Sequence, residues 1–218
     1  EQALFGAAWQ FNLLLSYIFS PYAEVMKREF AVLQTDSEVL AKHFHFSLKL
    51  IFWLTAFPAI FIATFSDWIL PLIYGDKYSN ATLVTVIIMF YTIYQAWGQL
   101  TGSFFIATEK TKANAIIGIV GQILTLVFVF LFQIPNFIWK ESLGSTGIAL
   151  NYFIVNIICV TISISYISNY LKKSILSKLS VQFAPLILCL LSAHVFKTLF
   201  GMVTIEGRSE ERRVGKEC

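Results

Sequence analysis

The stretch from Ile51 to Gly75 places the strongest constraint on how this chain can fold. It is almost entirely apolar, with Asp67 as its one charged residue, and a short polar break over 76–80 follows it. An apolar hydrocarbon core about 30 Å thick takes roughly 20 helical residues to cross. Trp53 and Trp68 lie towards the two ends, where amphipathic rings favour the membrane surface. The stretch therefore predicts a transmembrane helix that ends at Gly75.

The rest of the chain is similarly apolar. Hydrophobic residues make up 57% and charged residues 13%, against about 25% charged in ordinary soluble domains. Such a composition predicts an all-α membrane protein, a bundle of about six transmembrane helices, and the net charge of +3 gives no indication of nucleic-acid binding. The expected spans are 3–20, 46–74, 81–106, 114–134, 146–168 and 182–203.

The basic residues between the spans predict an orientation. They lie in five connections, as Lys27, Arg28 and Lys42; Lys77; Lys110 and Lys112; Lys140; and Lys172, Lys173 and Lys178. Because cytoplasmic connections are enriched in Lys and Arg, the first, third and fifth connections are expected in the cytoplasm and residue 1 outside. A start outside requires an earlier span, so the chain is expected to lack an N-terminal part of its parent protein.

The first of these connections, over 21–43, is the longest. Its alternating apolar and charged residues predict amphipathic helical stretches at the membrane surface. Thr35 or Asp36 is expected to cap the second stretch, with Glu38 in its first turn. A solvated linker that extends the next helix and a gating segment are both compatible with this pattern.

Polar side chains inside the spans are the candidates for a substrate cavity. Several recur at helical spacings of three and four, as Thr92, Gln95 and Gln99 do beside the small pair Gly98 and Gly102, and so share a face. Amides are poorly accommodated by lipid, so these faces should point into the bundle. The candidates are Asn12, Ser16, Lys49, Thr92, Gln95, Gln99, Asn114, Gln122 and Asn151.

Two interpretations of these polar faces remain open. They can form hydrogen bonds that hold helices together, or they can line a wet transport cavity. Lys49 likewise is either a lysine that extends its ammonium group to the membrane surface or an attractor for a phosphate-bearing lipid. Pro58 is expected to kink the second span.

Signatures of an enzyme are absent from the sequence. It has no glycine-rich phosphate loop, no HExxH, no paired cysteine motif and no nucleophile elbow. We therefore expect no catalytic residues, no cofactor and no metal site.

Four short motifs resemble one known family. They are Phe-Ser-Pro over 19–21, ILPLIYGDKYSNA over 69–81, FFIATEKTKAN over 104–114 and GSTGIAL over 144–150. In order and spacing they resemble the C-terminal half of the polysaccharide and lipid-linked oligosaccharide flippases, the Wzx-like branch of the superfamily that includes the multidrug and toxic compound extruders. The resemblance covers about 3–173, and Glu109 departs from it because a glycine is common at that place in the family.

The resemblance implies a fold of two six-helix lobes around a central cavity, one lobe of which this chain supplies in part. It implies a transporter, not an enzyme, that moves an undecaprenyl-diphosphate-linked oligosaccharide across a bacterial or archaeal cytoplasmic membrane by alternating access, for O-antigen, lipopolysaccharide or other polysaccharide export. The implied partners are this lipid-linked oligosaccharide, membrane lipids, Na⁺ or H⁺ as coupling ion, and the missing N-terminal half.

The expected division of the chain has three parts. Residues 1–173 form the partial C-terminal lobe with five transmembrane helices, and 174–207 add one further transmembrane helix. The tail over 208–218, RSEERRVGKEC, resembles a translated sequencing-library adapter and is excluded from the fold.

Three other functions are alternatives to the flippase. A drug or cation antiporter of the same superfamily would be favoured by an acidic residue inside the cavity, and the spans of this half contain Asp67 alone. A membrane-embedded glycosyltransferase or ligase should carry a long external loop with catalytic residues. A purely structural membrane subunit would explain the polar faces less well.

Overall fold

The computed structural model describes residues 2–134 and 143–173 of the chain. Within these ranges the chain is helical and contains no strand. The elements are α1 Gln2–Leu33, α2 Ser37–Thr64, α3 Ser66–Tyr74, a 3₁₀ helix Asp76–Ala81, α4 Thr82–Ala107, α5 Thr111–Gln133 and α6 Gly144–Tyr170. The expected last span over 182–203 and the tail over 208–218 lie outside the described residues.

Five helical segments are long and apolar enough to cross a membrane, judged by length and composition. They are Gln2–Leu33, Ser37–Thr64, Asp76–Ala107, Thr111–Gln133 and Gly144–Tyr170. Each corresponds to one of the first five expected spans, so the all-helical class and the number of apolar helices in the described ranges are confirmed.

The first connection is much shorter than expected. The expected end of the first span at Ser20 is wrong, because α1 continues through Pro21 to Leu33. The helical stretches expected over 21–43 are the end of α1 and the start of α2, which begins at Ser37. The charged residues lie on the outer faces of these two helical extensions, while Phe30 and Phe44 are fully buried on the inner faces. The predicted cap is confirmed, because the Asp36 side chain accepts hydrogen bonds from the backbone N–H groups of Glu38 and Val39.

The second span is broken where a single helix was expected. α2 continues past Pro58 to Thr64, and α3 starts again after Phe65, where the hydroxyl of buried Ser66 donates to the Ala63 carbonyl at 2.8 Å. No proline or glycine stands at the break, and its local signal is the short polar group Thr64, Ser66 and Asp67, with Asp67 in the first turn of α3. The predicted end at Gly75 is confirmed, because Gly75 has a φ of 87° and its N–H bonds to Pro71.

The turn between α4 and α5 uses the conformation that glycine favours. Glu109 has a φ of 58°, and the N–H of Lys110 bonds to the Phe105 carbonyl at 2.8 Å to close the end of α4. The chain forms this turn with a residue that adopts the left-handed conformation less readily than glycine does.

α4 lies at the centre of the bundle, packed against α1, α2 and α6. It is parallel to α1, because Thr92 contacts Asn12 and Gln99 contacts Ser20 about two turns further along both helices. It is also parallel to α6, because the Phe105 ring lies 5.6 Å from the Tyr166 ring while the Tyr91 carbonyl accepts a hydrogen bond from Asn156. α2 and α5 connect these helices and run in the opposite direction.

This arrangement places the turns 34–36 and 108–110 and the end of α6 at one end of the bundle, which we call the basic end. The Lys110 ammonium lies 5.0 Å above the ring of Tyr170, which joins the α4–α5 turn to the end of α6. The other basic residues at or near this end are Lys27, Arg28, Lys42, Lys112, Lys172 and Lys173. At the opposite end Lys77 is the basic residue of the described ranges.

The core at the basic end is aromatic. Phe30, Phe44 and Phe104 come from α1, α2 and α4, are at most 1% exposed, and have ring centroids 4.8 to 5.7 Å apart. One to two turns deeper, the Trp97 indole N–H donates to the Leu48 carbonyl at 3.0 Å. These contacts fix α4 against α1 and α2.

The turns over 34–36 and 108–110 are predicted to lie on the same side of the membrane, and cysteine labelling in intact cells tests this prediction. In a background without native cysteines, we expect Gln34→Cys and Lys112→Cys to be shielded from a membrane-impermeant thiol reagent and Ser79→Cys to be labelled, because basic connections stay in the cytoplasm. All three positions are exposed at the protein surface, so permeabilised cells should label all of them. Labelling of Gln34→Cys and Lys112→Cys on different sides would contradict the helix directions.

Candidate functional site

A row of polar side chains follows the contact between α1 and α4, and we call it the polar seam. α1 contributes every fourth residue and α4 contributes residues at spacings of three and four, which puts each set on one helix face. The seam consists of Asn12, Ser16, Ser20, Thr92, Gln95 and Gln99.

Two contacts across the seam fix its register. The Thr92 hydroxyl lies 2.9 Å from Asn12 Oδ1 and 2.8 Å from the Ile88 carbonyl, and both Asn12 and Thr92 are buried. Nearer the basic end, the Ser20 hydroxyl donates to Gln99 Oε1 at 2.9 Å, with both residues half-buried. The first contact is a hydrogen bond inside the core, and the second lies where the seam reaches the protein surface.

The middle of the seam leaves hydrogen-bonding capacity unused. Equal spacing on parallel helices places Ser16 opposite Gln95. The Ser16 hydroxyl bonds back to the Leu13 carbonyl at 2.6 Å, and Gln95 Oε1 is buried without a hydrogen-bond partner in the described part of the chain. A buried amide oxygen without a hydrogen-bond donor costs about 1 to 3 kcal/mol, so the middle of the seam is less well satisfied than the contacts on either side of it.

Two glycines beside the seam differ in how closely another helix approaches them. A Cβ added at Gly98 would lie 3.4 Å from Val160 and 3.6 Å from Asn156, so α6 approaches α4 closely there. A Cβ added at Gly102 would meet nothing within 4 Å. The small-residue face predicted from the sequence therefore packs a helix at Gly98 and stays open at Gly102.

A cluster of aromatic rings closes the seam at the end remote from the basic end. Trp9 of α1 stacks with Tyr91 of α4 at 5.5 Å and lies 5.4 Å from Tyr152 of α6, and Phe5 stacks with Trp9 at 5.5 Å. Rings this close to one another leave no room for a ligand between them. The cluster ties α1, α4 and α6 together at this end of the seam.

The seam is electrically neutral. Its side chains are amides and hydroxyls, which both donate and accept hydrogen bonds. In the described ranges no three His, Cys, Asp or Glu residues come together as a potential metal site. The arrangement can bind neutral polar groups, such as hydroxyls, more readily than ions.

Four predicted candidates lie elsewhere. Asn151 is buried between α5 and α6, where its Nδ2 donates to the Thr125 carbonyl at 3.3 Å, which favours the hypothesis of a hydrogen bond between helices. Gln122 and Asn114 are on α5, exposed and half-buried respectively. Lys49 is exposed on α2, which packs on the Trp97 side of α4 and so faces away from Gln95.

The structure adds two polar residues that were not among the candidates. Ser20 completes the seam, and its spacing of four from Ser16 was a usable signal. Asn156 crosses from α6 to α4, where its Nδ2 donates to the Tyr91 carbonyl at 3.4 Å. That contact depends on which helix lies beside α4, which a sequence pattern does not give.

Comparison with protein-family models, curated proteins and solved structures found no match for this chain. The family resemblance of the four motifs therefore stays an expectation.

The buried contact of the seam predicts a measurable stability difference. Thr92→Val removes the hydroxyl and leaves Asn12 Oδ1 buried without its donor, so we expect a loss of about 0.6 to 2 kcal/mol in unfolding free energy. Thr85→Val is the matched control, because Thr85 is equally buried on α4 and its hydroxyl, like that of Thr92, lies close to a carbonyl of its own helix, that of Ala81. Equal losses for the two variants, measured in the same detergent, would show that the α1–α4 contact adds nothing.

Proposed function

We propose that this chain is part of a multi-pass membrane transporter of the flippase class, which moves an undecaprenyl-diphosphate-linked oligosaccharide across a cytoplasmic membrane by alternating access. The proposal joins the family resemblance of the four motifs to the polar seam. In it, α1 to α6 form part of one lobe, and the seam faces the route between this lobe and its partner lobe.

The outer surface supports placement in lipid. α5 is the most hydrophobic of the five long helices and the least buried, with 6% of its most apolar window inside the protein. Its large apolar side chains Ile119, Ile123, Leu126 and Phe130 are 56 to 61% exposed. Such a surface is unfavourable in water and ordinary in a hydrocarbon solvent.

The half-buried polar residues are the observation that carries the proposal. Ser16, Ser20, Gln95 and Gln99 are neither buried in the core nor located at a helix end. Amides and hydroxyls facing acyl chains would lose hydrogen bonds to water, so the seam should face a wet cavity or another protein surface. A lobe of a transporter offers both surroundings, because it faces a wet cavity on one side and the partner lobe across that cavity.

The chemistry of the seam favours a hydroxyl-rich cargo over a cation. A drug or cation antiporter would be favoured by a carboxylate in the cavity, and Asp67 lies in α3 outside the seam. Neutral donors and acceptors match the hydroxyl groups of a sugar, which need both. The seam thereby supports the oligosaccharide part of the proposed substrate.

The test is replacement of the seam amides in the full-length parent protein in its own cells. Gln95→Leu and Gln99→Leu should each reduce surface polysaccharide several-fold at normal protein abundance, because they remove hydrogen-bonding groups from the route. Gln122→Leu is the matched control, since it is the same substitution at an exposed position on α5 outside the seam.

Unchanged export in both seam variants, at equal abundance, would overturn the proposed role of the seam. An equal loss with Gln122→Leu would do the same, because the effect would then follow from any loss of an amide in these helices.

A further inference from the structure

A groove lies between α5 and α6 at the basic end, away from the polar seam. Its volume is about 400 Å³. Its wall is apolar along the helices and polar at the α4–α5 turn. The lining residues are Glu109, Lys110, Lys112, Ala113, Ile116, Ile117, Ile162 and Tyr166.

The groove exists because the two helices touch closely only further along. At Gly121 an added Cβ would lie 2.9 Å from Cys159 Sγ, so the helix surfaces are in direct contact there. Towards the basic end larger side chains stand between the helices, and Ile116, Ile162 and Tyr166 remain 41 to 52% exposed. The result is a cleft that is open to the bundle surface and narrows away from the turn.

The mouth of the groove is positively charged. Lys110 and Lys112 line it, and Lys172 and Lys173 follow Tyr170, whose ring lies under the Lys110 ammonium at 5.0 Å. Glu109 is the acidic residue of the lining. Two ammonium groups against one carboxylate at the edge of an apolar cleft, with two further lysines in the chain segment after Tyr170, match a molecule with a phosphate head and a hydrocarbon tail.

We propose that this groove binds an anionic glycerophospholipid, with one acyl chain along Ile116, Ile162 and Tyr166 and the phosphate at Lys110 and Lys112. This inference rests on the membrane placement that the proposed function also requires. The site is separate from the polar seam, so it would hold a resident lipid against α5 and α6 rather than the transported molecule. Basic pockets between transmembrane helices recognise such head groups.

The experiment uses the full chain in nanodiscs of phosphatidylcholine with a minor fraction of phosphatidylglycerol, and native mass spectrometry counts the lipids that remain bound. The wild type should retain phosphatidylglycerol several-fold above its fraction in the disc. Lys110→Gln with Lys112→Gln should abolish this enrichment because the phosphate loses its partners. Ala113→Phe should abolish it by filling the cleft with an aromatic ring.

Two matched variants serve as controls. Lys42→Gln removes one charge at the same end, on α2 and outside the groove, where Lys42 pairs with Glu38 at 3.3 Å. Ile123→Phe adds an aromatic ring on the exposed face of α5 beyond the groove. Both should retain the lipid as the wild type does.

Retention of phosphatidylglycerol by the double lysine variant, or an equal loss with Lys42→Gln, would overturn the site. So would competition by soluble glycerol phosphate at equal concentration, because the apolar groove would then contribute nothing. A loss of thermal stability for Ala113→Phe in lipid-free detergent, equal to that in the lipid disc, would show that the chain's own residues fill the cleft. Failure of the wild type to enter nanodiscs would instead refute the proposed function.

Discussion

The structure depends on how the central helix α4 satisfies its polar groups. α4 is packed on three sides, and some of its buried polar groups bond to neighbouring helices while others, such as Thr85, bond back to their own helix. Thr92 contacts Asn12 of α1, Trp97 donates to a carbonyl of α2, and the Tyr91 carbonyl accepts from α6. Each contact fits one register of one neighbour, which makes α1, α4 and α6 parallel and places the connecting turns at the same end.

The sequence predicts those helices and helix ends that are determined by composition or by interactions between residues close in the chain. The five described apolar helices follow from composition, the start of α2 follows from the Asp36 cap, and the end of α3 follows from Gly75. Two features were missed, and the first depended on tertiary packing. α1 runs past Pro21 because its extension buries Phe30 against Phe44, and the chain breaks at Phe65 without a proline or glycine.

The sequence predicts which polar residues of the candidate site share a helix face, but it does not predict which residues of another helix they contact. Helical spacing identified the shared face of Thr92, Gln95 and Gln99, but it does not tell which neighbour that face meets. Two asparagines of the same chemistry therefore lie at different helix contacts. Asn12 of α1 contacts α4, whereas Asn151 of α6 bonds to α5. The sequence left two interpretations open, hydrogen bonds between helices and the lining of a wet cavity. The buried end of the seam fits the first interpretation, because its hydrogen bond joins α1 to α4. The half-buried part, which has unused hydrogen-bonding capacity, is compatible with the second.

The parallel register of α1 and α4 in the native membrane is the claim on which the seam, the helix directions and the proposed transport route all depend. Cross-linking of paired cysteines with a short bifunctional thiol reagent measures it directly, in membranes that contain the full-length protein. Ser20→Cys with Gln99→Cys should be cross-linked, because the native side chains are in contact, with the Ser20 hydroxyl 2.9 Å from Gln99 Oε1. Ser20→Cys with Thr92→Cys should not, since seven residues displace the partner by about 10 Å along the helix. Cross-linking of the second pair in preference to the first would contradict the account.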